Sequence, residues 1–133
     1  MMMPFINFDG KCLQAIALYE SVFTVQNKQV QLYRDMPGFD PLPERMHDYV
    51  LHAEMTIAGS PIWLSDSTKD VYTGNLVSIA VTLPDVDAVN TAYYKLLNAS
   101  GEAVIEIAPT FYSPMFGTVQ DQFGVIWHLM CRA

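Results

Sequence analysis

Pro61-Ile62-Trp63-Leu64 and Val125-Ile126-Trp127-His128 are two short apolar runs, each built around a tryptophan and each following a glycine-bearing turn, 64 residues apart. Outward from the first, Ala58-Gly59-Ser60-Pro61 turns the chain back from Val50–Ile57. There Leu51, Ala53, Met55 and Ile57 alternate with His52, Glu54 and Thr56, the pattern of a strand with one buried face. Outward from the second, Gln122-Phe123-Gly124 separates Val125–Met130 from Met115–Val119. Both runs therefore close β-hairpins.

The elements before each hairpin also match. Pro4–Phe8 predicts a strand ending in the turn Asp9-Gly10, and Asp9 is expected to cap a helix carrying Cys12, Ile16, Tyr19 and Phe23 at helical spacing. In the second half Leu76–Leu83 predicts a strand, and Pro84-Asp85 opens a helix with Val86, Val89, Tyr93 and Leu96 on one stripe. Gly101 stands where a helix end favours a left-handed residue. Val25–Arg34 and Val104–Ile107 supply one further strand to each half. Tyr19 and Tyr93 lie 74 residues apart against 64 for the hairpins, so the first half carries ten extra residues. The loop from Asp35 to Asp48, with prolines at 37, 41 and 43, is where they belong. The order is β-α-β-β-β twice, an α+β domain of two modules, 1–69 and 74–133, with the insertion at 35–48.

Composition narrows the function. Of 133 residues, 51% are hydrophobic and 16% charged, enough apolar matter for a core. A formal charge of −7 with scattered basic residues opposes binding to nucleic acid, which needs clustered Lys and Arg. No apolar run reaches the ~20 residues of a membrane span. The first residues lack the pattern of a signal peptide, so a cytoplasmic location is expected. Cys12 and Cys131 are far apart and read as free buried thiols. No G-x-G-x-x-G, G-x-x-x-x-G-K-[ST] or G-x-S-x-G occurs, which opposes dinucleotide, S-adenosylmethionine and phosphate loops and nucleophile elbows.

Four segments carry a resemblance to a known family. They are Phe5-Ile6-Asn7-Phe8-Asp9-Gly10-Lys11-Cys12 with Ala15 and Tyr19; Tyr33-Arg34-Asp35-Met36-Pro37; His52-Ala53-Glu54 continuing to Leu64-Ser65-Asp66; and Thr110-Phe111-Tyr112, Phe116-Gly117, Asp121-Gln122-Phe123-Gly124-Val125 and Trp127. Together they resemble the vicinal-oxygen-chelate superfamily of glyoxalase I, bleomycin-resistance proteins and extradiol dioxygenases. The likeness is greatest to its PhnB-like branch, often labelled 3-demethylubiquinone-9 3-methyltransferase. Tyr112-Ser113 departs from the Trp-Gly common in that branch.

The resemblance implies that each module curves its strands into a half-barrel, helix outside and ligand on the concave side. With Leu64 and His128 facing inward, Trp63 and Trp127 are expected to face the helices as core residues. The cavity candidates are then His52, Glu54, Asp66, Tyr112, Phe116 and His128. Metal-dependent members place ligands at four inward positions, which fall here on Pro4 or a neighbour, Leu64, Ser78 and His128. Only His128 offers a suitable donor, so no metal cofactor is expected and a divalent metal is disfavoured. His52 and Glu54, two apart on a strand, form an acid–base or ligand pair, or more plainly a hydrogen-bonded pair lining a polar wall.

The expected function is a small-molecule-binding protein without the usual metal centre. The alternatives are a lyase, isomerase or dioxygenase with metal on His52, Glu54 and His128, and, disfavoured, a methyltransferase. A homodimer is expected because open half-barrels leave strand edges bare, and 35–48 is a candidate flap.

Overall fold

The structure, a computed structural model, describes residues 1–36 and 43–133. The chain runs β1 (Phe5–Phe8), α1 (Cys12–Val22), β2 (Val25–Leu32), β3 (Val50–Ile57) and β4 (Ser60–Asp66), then β5 (Ile79–Leu83), α2 (Val86–Asn98), β6 (Glu102–Ala108), β7 (Phe116–Gln120) and β8 (Ile126–Cys131). The strands form two four-stranded sheets ordered β1-β4-β3-β2 and β5-β8-β7-β6. In each sheet the first strand pairs parallel to the last and the other pairs are antiparallel, so both are mixed. The α+β doubled β-α-β-β-β order is therefore present. The chain divides into two units, Met1–Glu20 with Thr24–Tyr72, and Ser21–Phe23 with Thr73–Ala133.

In the first unit Ala53, Met55 and Ile57 of β3 and Ile62 and Leu64 of β4 are buried, together with Cys12, Ala15, Ile16 and Tyr19 of α1. These alternate residues and the helix stripe form one apolar layer, as the periodicities predict. The second unit repeats the arrangement with Val89, Ala92, Tyr93 and Leu96 of α2 and Val119, Trp127, Leu129 and Cys131. A Cβ on Gly117 would stand 2.8 Å from the Tyr93 ring, so the absence of a side chain there lets helix and sheet approach. Asp85 caps α2 by accepting from the Ala88 N–H at 2.8 Å.

Several expectations are corrected. The amide of Cys12, in the first turn of α1, is met not by Asp9 but by Asp66 from the end of β4, at 3.0 Å. β5 begins at Ile79, not Leu76, because the ladder with β8 starts at Ile79 and Leu76 is 97% exposed. At the end of α2 the left-handed residue is Ser100, φ 64°, rather than Gly101. Gly101 is needed for space: a Cβ would collide with the Leu96 carbonyl oxygen and stand 3.0 Å from Val119 and 3.1 Å from the Gln120 carbonyl oxygen. Gly101→Ala is therefore expected to cost about 1–3 kcal/mol by overpacking, read from the urea midpoint at unchanged slope.

Of the loop 35–48, residues 37–42 lie outside the described residues, so its reading as a flap does too. Its described part contains the short 3₁₀ turn Glu44–Met46, and another, Tyr33–Asp35, leads into it. Among the described residues no helix is long and apolar enough to cross a membrane.

Candidate functional site

The two hairpins differ by one residue, and that decides which side chains face away from the helices. Between β3 and β4 the turn is Ala58-Gly59, both at positive φ (50° and 85°), and it sets Ile57 opposite Ser60. This is the two-residue turn that matches the twist of antiparallel strands. Between β7 and β8 the Asp121 N–H bonds the Val125 carbonyl at 2.8 Å across a three-residue loop, Gln122-Phe123-Gly124, with Gly124 at φ 96°. The extra residue advances β8 by one. Ile62, Leu64 and Asp66 thus correspond, by burial on the helix side, to Trp127, Leu129 and Cys131, an offset of 65 rather than 64.

The expected facing is therefore right for β8 and inverted for β4. Trp127 is buried on the helix side and His128 looks away from α2. In β4, Leu64 is fully buried on the helix side, and it is Trp63 that looks away from α1. A one-residue slip carries every side chain to the other face of a strand.

In the first unit that outer face is aromatic with two polar pairs. Trp63 lies opposite Glu54 on one side and Phe5 on the other. Its ring centroid is 5.0 Å from His52 and 5.8 Å from Phe5, both edge-on. His52 Nε2 stands 3.1 Å from Glu54 Oε1, so the carboxylate accepts the ring N–H. Ser65 donates to Asn7 Oδ1 at 2.7 Å on the same face.

In the second unit His128 is the centre. Its Nδ1 is 2.7 Å from the hydroxyl of buried Thr118 on β7, directly across the ladder, and its Nε2 is 2.8 Å from the Ser78 hydroxyl just before β5. Phe116 stacks on the imidazole with centroids 6.0 Å apart and planes at 26°, and Tyr112 meets Phe116 edge-on at 5.6 Å. Tyr112 is positioned by a turn in which Thr110 Oγ1 accepts from the Ser113 N–H at 3.0 Å. Ser113 is buried, its hydroxyl 2.7 Å from the carbonyl oxygens of Met115 and Cys131, which ties the turn to the end of β8.

Of the six cavity candidates, His52 and Glu54 lie together in the first unit, and Tyr112, Phe116 and His128 together in the second. Asp66 is misplaced. It is 1% exposed on the helix side, where one carboxylate oxygen accepts from the Cys12 N–H at 3.0 Å and the other from the Val50 N–H at 2.9 Å. Burial raises its carboxyl above the ordinary value, and the amides of Val50, Cys12 and Gly10 pull the other way. The Cys12 thiol, buried beside it, is pushed far up by the same desolvation. His47 is exposed. Trp63, Phe5 and Thr118 were not among the candidates. The Ala58-Gly59 turn was the signal that would have found Trp63, because counting back from it pairs Trp63 with Glu54.

The residues do not suit a vicinal-oxygen-chelate metal. In the first unit the outward residues of the paired first and last strands include Phe5 and Trp63, which are not ligands. In the second, the corresponding ladder pair is Ala80 and His128, of which only the imidazole is a donor, and its Nε2 is bonded to Ser78 just before β5. Among the described residues no three His, Cys, Asp or Glu side chains converge.

Two β-α-β-β-β units with parallel first and last strands define the glyoxalase/bleomycin-resistance/dioxygenase class of fold. A glyoxylase/bleomycin resistance protein/dioxygenase domain from Frankia sp. EAN1pec superposes with a TM-score of 0.69 over 100% of this chain and 97% of that one, at 9% identity, a likeness of fold. The family model described as 3-demethylubiquinone-9 3-methyltransferase matches residues 1–130, and the chain belongs to that family. It is 29% identical to Protein YjdN of Escherichia coli K12 over 135 residues, 93% of this chain and 90% of the relative. It also resembles a putative 3-demethylubiquinone-9 3-methyltransferase, PhnB protein, from Bacillus cereus, with a TM-score of 0.76 and 25% identity over 98% of each chain.

Proposed function

We propose that this PhnB-like protein binds a small molecule on the outward face of a sheet, and does so without a metal centre. The observation that carries the reading is the His128 group: one imidazole held at both nitrogens by hydroxyls and covered by Phe116. Ligand sites combine apolar walls with a few convergent polar groups, and this is such a combination. His52 and Glu54 beside Trp63 and Phe5 supply a second set of the same character. A methyltransferase reading finds no glycine loop for S-adenosylmethionine in the sequence.

Saturation-transfer NMR against a library of small aromatic acids, amides and amines tests binding. Hits lost in His128→Ala, with the circular dichroism unchanged, are the expected result. A library without hits, or hits indifferent to His128→Ala, would sink it. Elemental analysis of protein purified without chelators should find substoichiometric metal; one equivalent of Zn, Mn, Ni or Fe favours the metal-dependent enzyme instead. Calorimetry with S-adenosylmethionine should give no heat of binding.

We also propose a cytoplasmic homodimer. β6 is a sheet-edge strand that leaves Val104 and Ile105 about half exposed, the kind of surface that partners cover. Light scattering at the 14.9 kDa monomer mass would remove the dimer.

A further inference from the structure

The hydrogen bonds around His128 have a direction. Thr118 is fully buried, and among the described residues the acceptor its hydroxyl meets is His128 Nδ1, at 2.7 Å. A buried hydroxyl that leaves its proton unbonded loses a hydrogen bond it would have made in water, whereas a spare lone pair costs less. Thr118 therefore donates and Nδ1 accepts. A neutral imidazole carries one N–H, which is then on Nε2 and donates to the Ser78 oxygen at 2.8 Å. Ser78 is exposed, and with its oxygen engaged as acceptor its own proton is turned to whatever lies in front of the sheet.

We propose that Ser78 is a ligand-binding residue, the terminal donor of a Thr118→His128→Ser78 relay, and that it selects a molecule presenting an acceptor oxygen beside an aromatic or apolar body. Resting on the binding reading above, this names the ligand class: an aromatic carboxylate or carbonyl compound, its oxygen at Ser78 and its ring toward Phe116 and Tyr112. Each donor in such a chain polarises the next, so the Ser78 hydroxyl is a stronger donor than an isolated serine. An amine, which brings only donors when charged, meets a donor and is refused.

The test has two arms on the full chain. Long-range ¹H–¹⁵N NMR of the imidazoles reads the tautomer without any ligand, and His128 is expected as the Nε2–H form in the wild type. Amide shifts during titration with benzoate, benzamide and benzylamine read the selectivity. Benzoate or benzamide should move the amides of Ser78, Thr118 and His128, benzylamine should not, and Ser78→Ala should weaken the acceptor probe about tenfold or more, the size of one hydrogen bond to a charged group. Benzoate against benzamide separates an anionic from a neutral acceptor. An Nδ1–H tautomer, equal response to benzylamine, or affinity untouched by Ser78→Ala overturns the relay and leaves the binding reading standing. Shifts from none of the three probes overturn both.

Discussion

Asp66→Ala should lower the folding free energy by about 3–5 kcal/mol, the largest effect expected of any single polar substitution on the first unit. The side chain is 1% exposed, and its two oxygens satisfy the amides of Cys12 and Val50, at the starts of α1 and β3. Alanine leaves both donors buried and unmatched, and each such group costs about 1–3 kcal/mol. The carboxylate also joins segments 54 and 16 residues away from it in sequence, so the helix start and the β3 start lose their common anchor. In thermal melts the loss corresponds to about 10–20 °C for a domain of this size. Asp66→Asn keeps one acceptor oxygen and should lose roughly half as much. A loss below about 1 kcal/mol for Asp66→Ala would show that water replaces the carboxylate and that Asp66 is not the anchor.

Asp121→Ala should have an effect of similar size in the second unit. Asp121 is 4% exposed; one oxygen accepts from the amides of Phe123 and Val125 at 2.9 and 3.0 Å, the other from the Trp127 indole N–H at 2.9 Å. Removing it strands three donors and frees the three-residue turn that sets the register of β8, a cost of about 3–5 kcal/mol. Trp127→Phe removes the indole donor together with part of a fully buried ring, for about 2–4 kcal/mol. The double variant should fall short of the sum, because both changes remove one shared bond. Additive losses in chemical denaturation would show that the Asp121–Trp127 bond contributes nothing. The Asp121-Gln122-Phe123-Gly124 run is, on this account, a device for holding register. A register slip would turn His128 into the core.

The order and type of elements were legible because the signals are local. Period-two alternation over 50–57, helical stripes through Tyr19 and Tyr93, and glycine turns each depend on residues within a few positions of one another. Duplication was legible from the same signals compared at a distance. His52 and Glu54 could be paired from the sequence alone, since two residues apart on one strand share a face. Asp66 could not be placed that way: nothing within its own strand says that a helix start and a neighbouring strand will bring their amides to it. Thr118 escaped for the same reason, since its role is set by the residue opposite it on β8.

By itself, then, the sequence determined two β-α-β-β-β modules, their hairpins, and a histidine on the last strand. Only the tertiary structure decided which tryptophan is core and which lines the outward face. The matched pair Trp63 and Trp127, 64 residues apart, was a true sign of duplication and a false sign of equivalence. The turn at 58–59 has two residues and the turn at 122–124 has three, and in a strand one residue is the difference between the two faces of a sheet.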